Sequence, residues 1–85
     1  MTAKLCVGNL PATVTNSELE TKFGQFGRVL SAEVSTNAAT GRTTRAGYVE
    51  MESSEQAQAA INRLNMTQYE DVVISVSRFR LKHSA

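Results

Sequence analysis

The chain has 85 residues, 41% hydrophobic and 20% charged, which suits one domain with a modest core and excludes a disordered chain. Nine Lys plus Arg stand against eight Asp plus Glu, a net charge of +1, which excludes a polyanion sponge built on unopposed cations. Cys6 is the only cysteine, which excludes an internal disulfide and a cysteine zinc cluster and fits a reducing, intracellular setting. No apolar run is long enough to span a membrane, and no repeat or low-complexity segment interrupts the chain.

In chain order, Lys4 to Asn9 alternates Leu5 and Val7 against Lys4, Cys6 and Gly8, the pattern of a strand with Leu5 and Val7 inward. Leu10-Pro11 ends it, because proline cannot continue a ladder. Thr15-Asn16-Ser17-Glu18 has the form of a capping box, and Leu19, Phe23 and Phe26 follow at helical spacing. Gly27 is placed to end that helix. Val29 to Thr36 is a second, weaker strand with Val29, Ala32 and Val34 inward, and its irregular spacing predicts a bend or a slow entry into the strand. Asn37 to Thr43 is polar, contains Gly41 and predicts a hairpin loop.

Thr44 to Met51, TRAGYVEM, is the strand around which the chain is organised. Gly47, Val49 and Met51 alternate with Ala46, Tyr48 and Glu50, so a single ring, Tyr48, stands on the second face. Shifting this register would turn Glu50 inward and bury an unpaired carboxylate. Ser53-Ser54-Glu55 opens a second helix with Ala57, Ala60, Ile61 and Leu64 inward. Asn65 to Asp71 is a connector, and Val72 to Phe79 is a last strand with Ile74 and Val76 inward and Val73, Ser75 and Ser77 outward. The order β-α-β-β-α-β predicts an α+β, ferredoxin-like sandwich: a four-stranded antiparallel sheet with two helices on one face and the other face open.

These residues together resemble an RNA-recognition motif over nearly the whole chain. Leu5 to Leu10, LCVGNL, is similar to the family's hexamer on the first strand, and TRAGYVEM to its octamer on the third. Leu19, Phe23, Phe26-Gly27 and Thr40-Gly41-Arg42 fall where the family places its first helix and its loop between the second and third strands. Ala57 to Leu64 matches the A-x-x-A-I-x-x-L pattern of its second helix. The length resembles that of small single-domain RNA-binding proteins of bacteria and organelles. The resemblance implies one domain over 1–85, with a core of about residues 4–80 and a short basic tail. It also departs from the family. The usual ring positions, the second of the hexamer and the third and fifth of the octamer, hold Cys6, Ala46 and Tyr48. Thr44 and Arg45 replace the octamer's opening basic residue and glycine, Lys22 replaces an apolar helix residue, and Met66 and Asp71 stand where the connector often has glycine.

The function the resemblance implies is binding of single-stranded RNA on the open sheet face, through one stacking aromatic and a basic rim, with modest affinity. The candidate contact residues are Tyr48, Lys4, Cys6, Asn9, Arg42, Arg45, Ala46, Ser75, Ser77, Arg78, Phe79 and Arg80, with Lys82 extending the rim. Glu33 and Glu50 oppose these cations on the same face. Tyr69 reads as a packing residue, and Phe79 as either a second ring or a cover for the core edge. The alternative is a protein-interaction module whose sheet face or helices bind a partner, favoured by the missing rings at Cys6 and Ala46. One histidine, one cysteine and no acid–base cluster leave no nucleophile–base pair, so no enzyme and no cofactor are expected. A monomer is expected, intracellular and first of all cytoplasmic, with nucleus or organelle also open.

Overall fold

The computed structural model describes residues 2–79. Seven elements follow in order: β1 Ala3–Gly8, α1 Asn16–Gly24, β2 Val29–Thr36, β3 Thr43–Met51, α2 Ser54–Leu64, β4 Thr67–Tyr69 and β5 Val72–Arg78. The sheet is antiparallel with strand order β2-β3-β1-β5-β4. Four of its strands are the expected ones. The fifth, β4, lies inside the stretch that reads as a connector, and pairs Thr67 to Tyr69 with Ile74 to Val72 as a hairpin. Three residues are too few to show a strand period, so nothing in the sequence marks it as one.

The alternation in β1 and β3 sorts residues as the sequence predicts. Leu5 pairs with Val49 and Val7 with Gly47, and all four residues are buried. Leu19 and Phe23 of α1, Ala57, Ala60 and Leu64 of α2, and Ile74 and Val76 of β5 complete the core with Leu10, Val14 and Met51. Among the described residues the core contains no buried polar or charged side chain. Ile61, expected in the inward stripe, is half-buried and packs against the core from its rim, as does Phe26. The 100° step per residue carries Ile61 to the edge of the stripe defined by Ala57, Ala60 and Leu64.

Both helices start where their caps dictate. Glu18 N donates to Thr15 Oγ1 (3.2 Å) and Thr15 N donates back to Glu18 Oε1 (3.0 Å), which is the capping box. Gln56 N donates to Ser53 Oγ at 3.1 Å and opens α2. The end of α1 differs from expectation, because the helix stops at Gly24 with Gln25 as its C-cap. Gly27 instead lies in the turn beyond, where a Cβ would collide with the side chain of Gln56. That side chain accepts a hydrogen bond from Arg28 N (3.2 Å), so Gly27 admits the clasp between the turn and α2.

The bend expected in β2 is two register shifts against β3, between Val29 and Ser31 and between Val34 and Thr36. Asn16 Oδ1 accepts from Val34 N at 2.7 Å near the second shift, tying the start of α1 to the strand. Gly47 has a packing role at the centre of the sheet. A Cβ there would lie 3.0 Å from the Glu33 carbonyl oxygen, 3.0 Å from Leu19 Cδ2 and 3.2 Å from Leu10 Cδ1.

Three outcomes follow for stability, read by chemical denaturation. Gly47→Ala should cost about 1–3 kcal/mol, since backbone and core must both yield. Leu19→Ala should cost about 2–5 kcal/mol as a full core truncation. Ile61→Ala should cost clearly less than Leu19→Ala, because part of its surface already meets water.

Candidate nucleic-acid interface

The pairing registers sort the open face into transverse rows. Glu33 of β2, Tyr48 of β3, Cys6 of β1 and Ser77 of β5 are successive cross-strand partners and make the middle row. On one side lie Ser31, Glu50 and Lys4, and Phe79 N donates to the Lys4 carbonyl oxygen at 2.8 Å, which extends that row by one residue. On the other side lie Ala46, Gly8 and Ser75, a row of small residues. Directly opposed residues share a sheet face with Cβ atoms about 4.5–5.5 Å apart. The twelve-residue candidate set therefore has a core of true neighbours: Tyr48, Cys6, Ser77, Lys4, Phe79, Ala46 and Ser75.

Phe79 is a second ring of this face. Its centroid lies 5.4 Å from that of Tyr48, with the ring planes at 81°, an edge-to-face pair. Lys4 Nζ sits 5.5 Å from the Tyr48 centroid and 5.3 Å from that of Phe79, so one ammonium serves both rings. Phe79 remains 37% exposed, enough to offer surface to a ligand. The missing rings at Cys6 and Ala46 leave the middle and small rows flat and low. A Cβ at position 8 would lie 2.9 Å from Ser75 Oγ, so this floor is also tightly set.

Three candidates sit differently from expectation. Arg78 pairs with Leu5 and so shares its side of the sheet. Its guanidinium donates to the Ser54 carbonyl oxygen (3.0 Å) and to Gln58 Oε1 (3.2 Å) of α2. Strand alternation, not charge, decides this, and it removes Arg78 from the open-face rim. Arg45 has left-handed backbone (φ 64°), and its Nε donates to the Leu10 carbonyl oxygen at 3.2 Å, at the end of the sheet by the β1–α1 loop. Asn9 is also left-handed (φ 59°), and its Nδ2 donates to the Val73 carbonyl oxygen (2.7 Å), latching the end of β1 to β5. Arg42 is exposed in the β2–β3 loop. Together with Ala12, Gly41, Thr43 and Arg45 it lines a shallow surface cleft. Arg80 and Lys82 lie outside the described residues.

The candidate set leaves out Ser31, Gly8 and Val73, although alternation in the sequence already turns Gly8 and Val73 outward. Ser31 joins the face through its register with Glu50. Val73 is 48% exposed beside the Asn9 latch and adds an apolar margin. Other clefts lie against α1, one of them between the helix and Tyr69. There Lys22 Nζ stands 4.5 Å from the Tyr69 centroid, which accounts for a lysine at an apolar position of the helix. Burial, then the nearby Glu18 and Glu70 carboxylates, push the Tyr69 hydroxyl above its ordinary pKa. Tyr69 packs against the core, as its sequence context suggests. A stacking platform is flat by nature, so depth does not identify the interface. Among the described residues no cluster of His, Cys, Asp and Glu is placed to hold a metal ion, and no helix is long and apolar enough to cross a membrane.

Comparison with known proteins places this geometry in a family. The model of the RNA recognition motif matches residues 5–75. A putative RNA-binding protein, RbpE of Nostoc sp., is 38% identical over 74 residues, covering 87% of this chain and 75% of that protein. The small ribosomal subunit protein cS22 of Arabidopsis thaliana is 41% identical over 75 residues, 88% of this chain but only 30% of the relative. The chain thus spans less than a third of that plant protein. Among solved structures, the RNA binding protein PG1 superposes with a TM-score of 0.89 at 32% identity, covering 96% of this chain and 99% of that one. A sex-lethal protein–RNA complex superposes with a TM-score of 0.83 at 34% identity, over 88% of this chain and 46% of the other. The family match over residues 5–75 takes in both the hexamer and the octamer of this chain, and the chain belongs to the RNA recognition motif family.

Proposed function

We propose that this chain binds single-stranded RNA on its open sheet face, with Tyr48 and Phe79 as the stacking surfaces and modest affinity. The observation that carries the proposal is the Tyr48–Phe79–Lys4 cluster, two rings and a cation on the uncovered face of the sheet. The family membership and the RNA-bound sex-lethal relative support it. Base–aromatic stacking is worth about 1–3 kcal/mol per base, so the rings absent at Cys6 and Ala46 forgo about 2–6 kcal/mol. Phe79 restores part of this, but its plane is perpendicular to that of Tyr48. The two rings therefore present a corner to a ligand and not a continuous shelf.

Charge adds a modest share. Lys4 faces the rings, and Arg42 and Arg45 stand at the end of the sheet, while Glu33 and Glu50 on the same face oppose a polyanion. With two to four phosphate contacts at about −0.7 each, the log–log salt slope for a single strand should lie between about −1.4 and −2.8. Fluorescence titration of single-stranded RNA pools at several salt concentrations measures it. Salt-independent nanomolar binding would contradict the proposal. Absence of binding at low salt would also contradict it and would favour a protein partner on the same face.

Ring substitutions test the platform directly. Tyr48→Ala should lose about 1–3 kcal/mol of RNA affinity, while Cys6→Tyr and Ala46→Phe should each gain up to that amount. Both added rings stand outward, so unfolding should shift by about 0.5 kcal/mol or less. A folded Cys6→Tyr, Ala46→Phe double variant with unchanged affinity would show that the sheet is not the binding face. Arg78→Ala is the control for the rim. It should cost about 0.5–1.5 kcal/mol of stability through its lost bonds to α2 and leave RNA affinity unchanged.

A further inference from the structure

The middle row of the open face carries a group that a polyanion-binding surface would be better without. Glu33 is exposed and is the direct cross-strand partner of Tyr48. The other carboxylate of the face, Glu50, is the direct cross-strand partner of Lys4, the cation of these rows. Among the described residues Glu33 has no cationic cross-strand partner. Its partner is the ring itself, and the ion pair found among the described residues is Arg28–Glu52 at 3.9 Å, which does not involve it. A carboxylate directly opposite a ring on the open face is placed to meet the edge of a base lying on that ring.

Resting on the assignment of Tyr48 as a stacking platform, we propose that Glu33 selects guanine at the base position over Tyr48 and disfavours uracil there. An ionised carboxylate offers acceptors only, two oxygens side by side. The Watson–Crick edge of guanine carries N1–H and the N2 amine as adjacent donors pointing the same way, which matches both oxygens at once. Uracil offers a single N3–H between two carbonyl oxygens, and both carbonyls repel a carboxylate. Adenine and cytosine carry their amine at one end of the edge, with a single ring-nitrogen acceptor next to it (the O2 carbonyl of cytosine lies one place further on). A carboxylate there gains one bond and meets one adjacent acceptor, whereas the central N3–H of uracil has an acceptor on either side. The ranking follows from donor pattern alone: guanine first, cytosine and adenine between, uracil last. Single-stranded bases are read on this edge because stacking on a ring leaves it free. Opposed Cβ atoms about 4.5–5.5 Å apart put the Glu33 carboxylate beside the Tyr48 ring, at the rim of a base stacked on it.

The ordinary alternative is that Glu33 merely solubilises β2, an outer strand of the sheet. A carboxylate in that role repels every RNA alike. Anisotropy titrations of the full chain with UUNUU pentamers, N being guanosine, inosine, adenosine, cytidine or uridine, separate the two. The guanosine pentamer should bind about tenfold tighter than the uridine one. Inosine, which keeps N1–H but lacks the N2 amine, should fall between them. Glu33→Gln should bring the guanosine-to-uridine ratio close to one, and thermal unfolding should show it as stable as the parent. Equal binding of guanosine and uridine pentamers by the parent, or a uniform gain for all five with Glu33→Gln, would overturn the proposal. If that happens while Tyr48→Ala still weakens every pentamer, only the role of Glu33 falls. If no pentamer binds, or Tyr48→Ala changes nothing, the platform falls with it.

Discussion

The antiparallel register between β1 and β3 is the constraint on which everything else depends. Leu5 opposite Val49 and Val7 opposite Gly47 place the core side, and Cys6 opposite Tyr48 with Lys4 opposite Glu50 then fall on the other side. A slip of one residue would exchange the two sets and bury Glu50 with nothing to pair it. Gly47 reinforces this, because the closeness of Leu10, Leu19 and the β2 backbone is possible only where that residue faces the helices. The interface is thus a by-product of the core: what the helices do not need is what the sheet can show.

What it shows is a compromise between rings, charge and small side chains. Lys4 is shared between two rings and lies opposite Glu50, so no one interaction uses its whole charge. Arg78 contributes to cohesion between sheet and α2 instead. Each group that stabilises the fold is subtracted from what remains for a ligand, and in a chain with a net charge of +1 that remainder is small. Selectivity in such a surface rests on the placement of a few donors and acceptors more than on overall attraction.

The strands and caps were legible because their signals are local. Period-2 alternation gave the inward sets of β1, β3 and β5, and Thr15 with Glu18 gave the start of α1. The three-residue β4 was not legible, since its pairing depends on a turn between Tyr69 and Val72 that carries no glycine. Gly27 misled for a related reason: its role is set by Gln56, almost thirty residues away, which no window around α1 contains. In the candidate site, Tyr48 followed from alternation, whereas Phe79 could not be decided because it lies at the end of β5 where the period gives out. Arg78 was grouped by charge with its neighbours, although the alternation that placed Val76 inward also places Arg78 on that side. Composition suggested a rim, and parity dismantled part of it.

The chain also stores backbone strain. Asn9, Arg45, Met66 and Glu70 all hold left-handed conformations (φ 58° to 64°) without being glycine. Asparagine tolerates this region, but for the other three it costs on the order of 1–2 kcal/mol each. Met66 is in addition 70% exposed, so its side chain returns little packing for that cost. Met66 and Glu70 bracket β4, and the short hairpin is therefore held against a spring at both ends. A fold of this size has few kilocalories to spare, and here some of them are tied up in two turns where an achiral residue would release them. The protein is consequently further from its attainable stability than its well-filled core suggests, and the difference is concentrated at the β4 edge of the sheet, away from Tyr48.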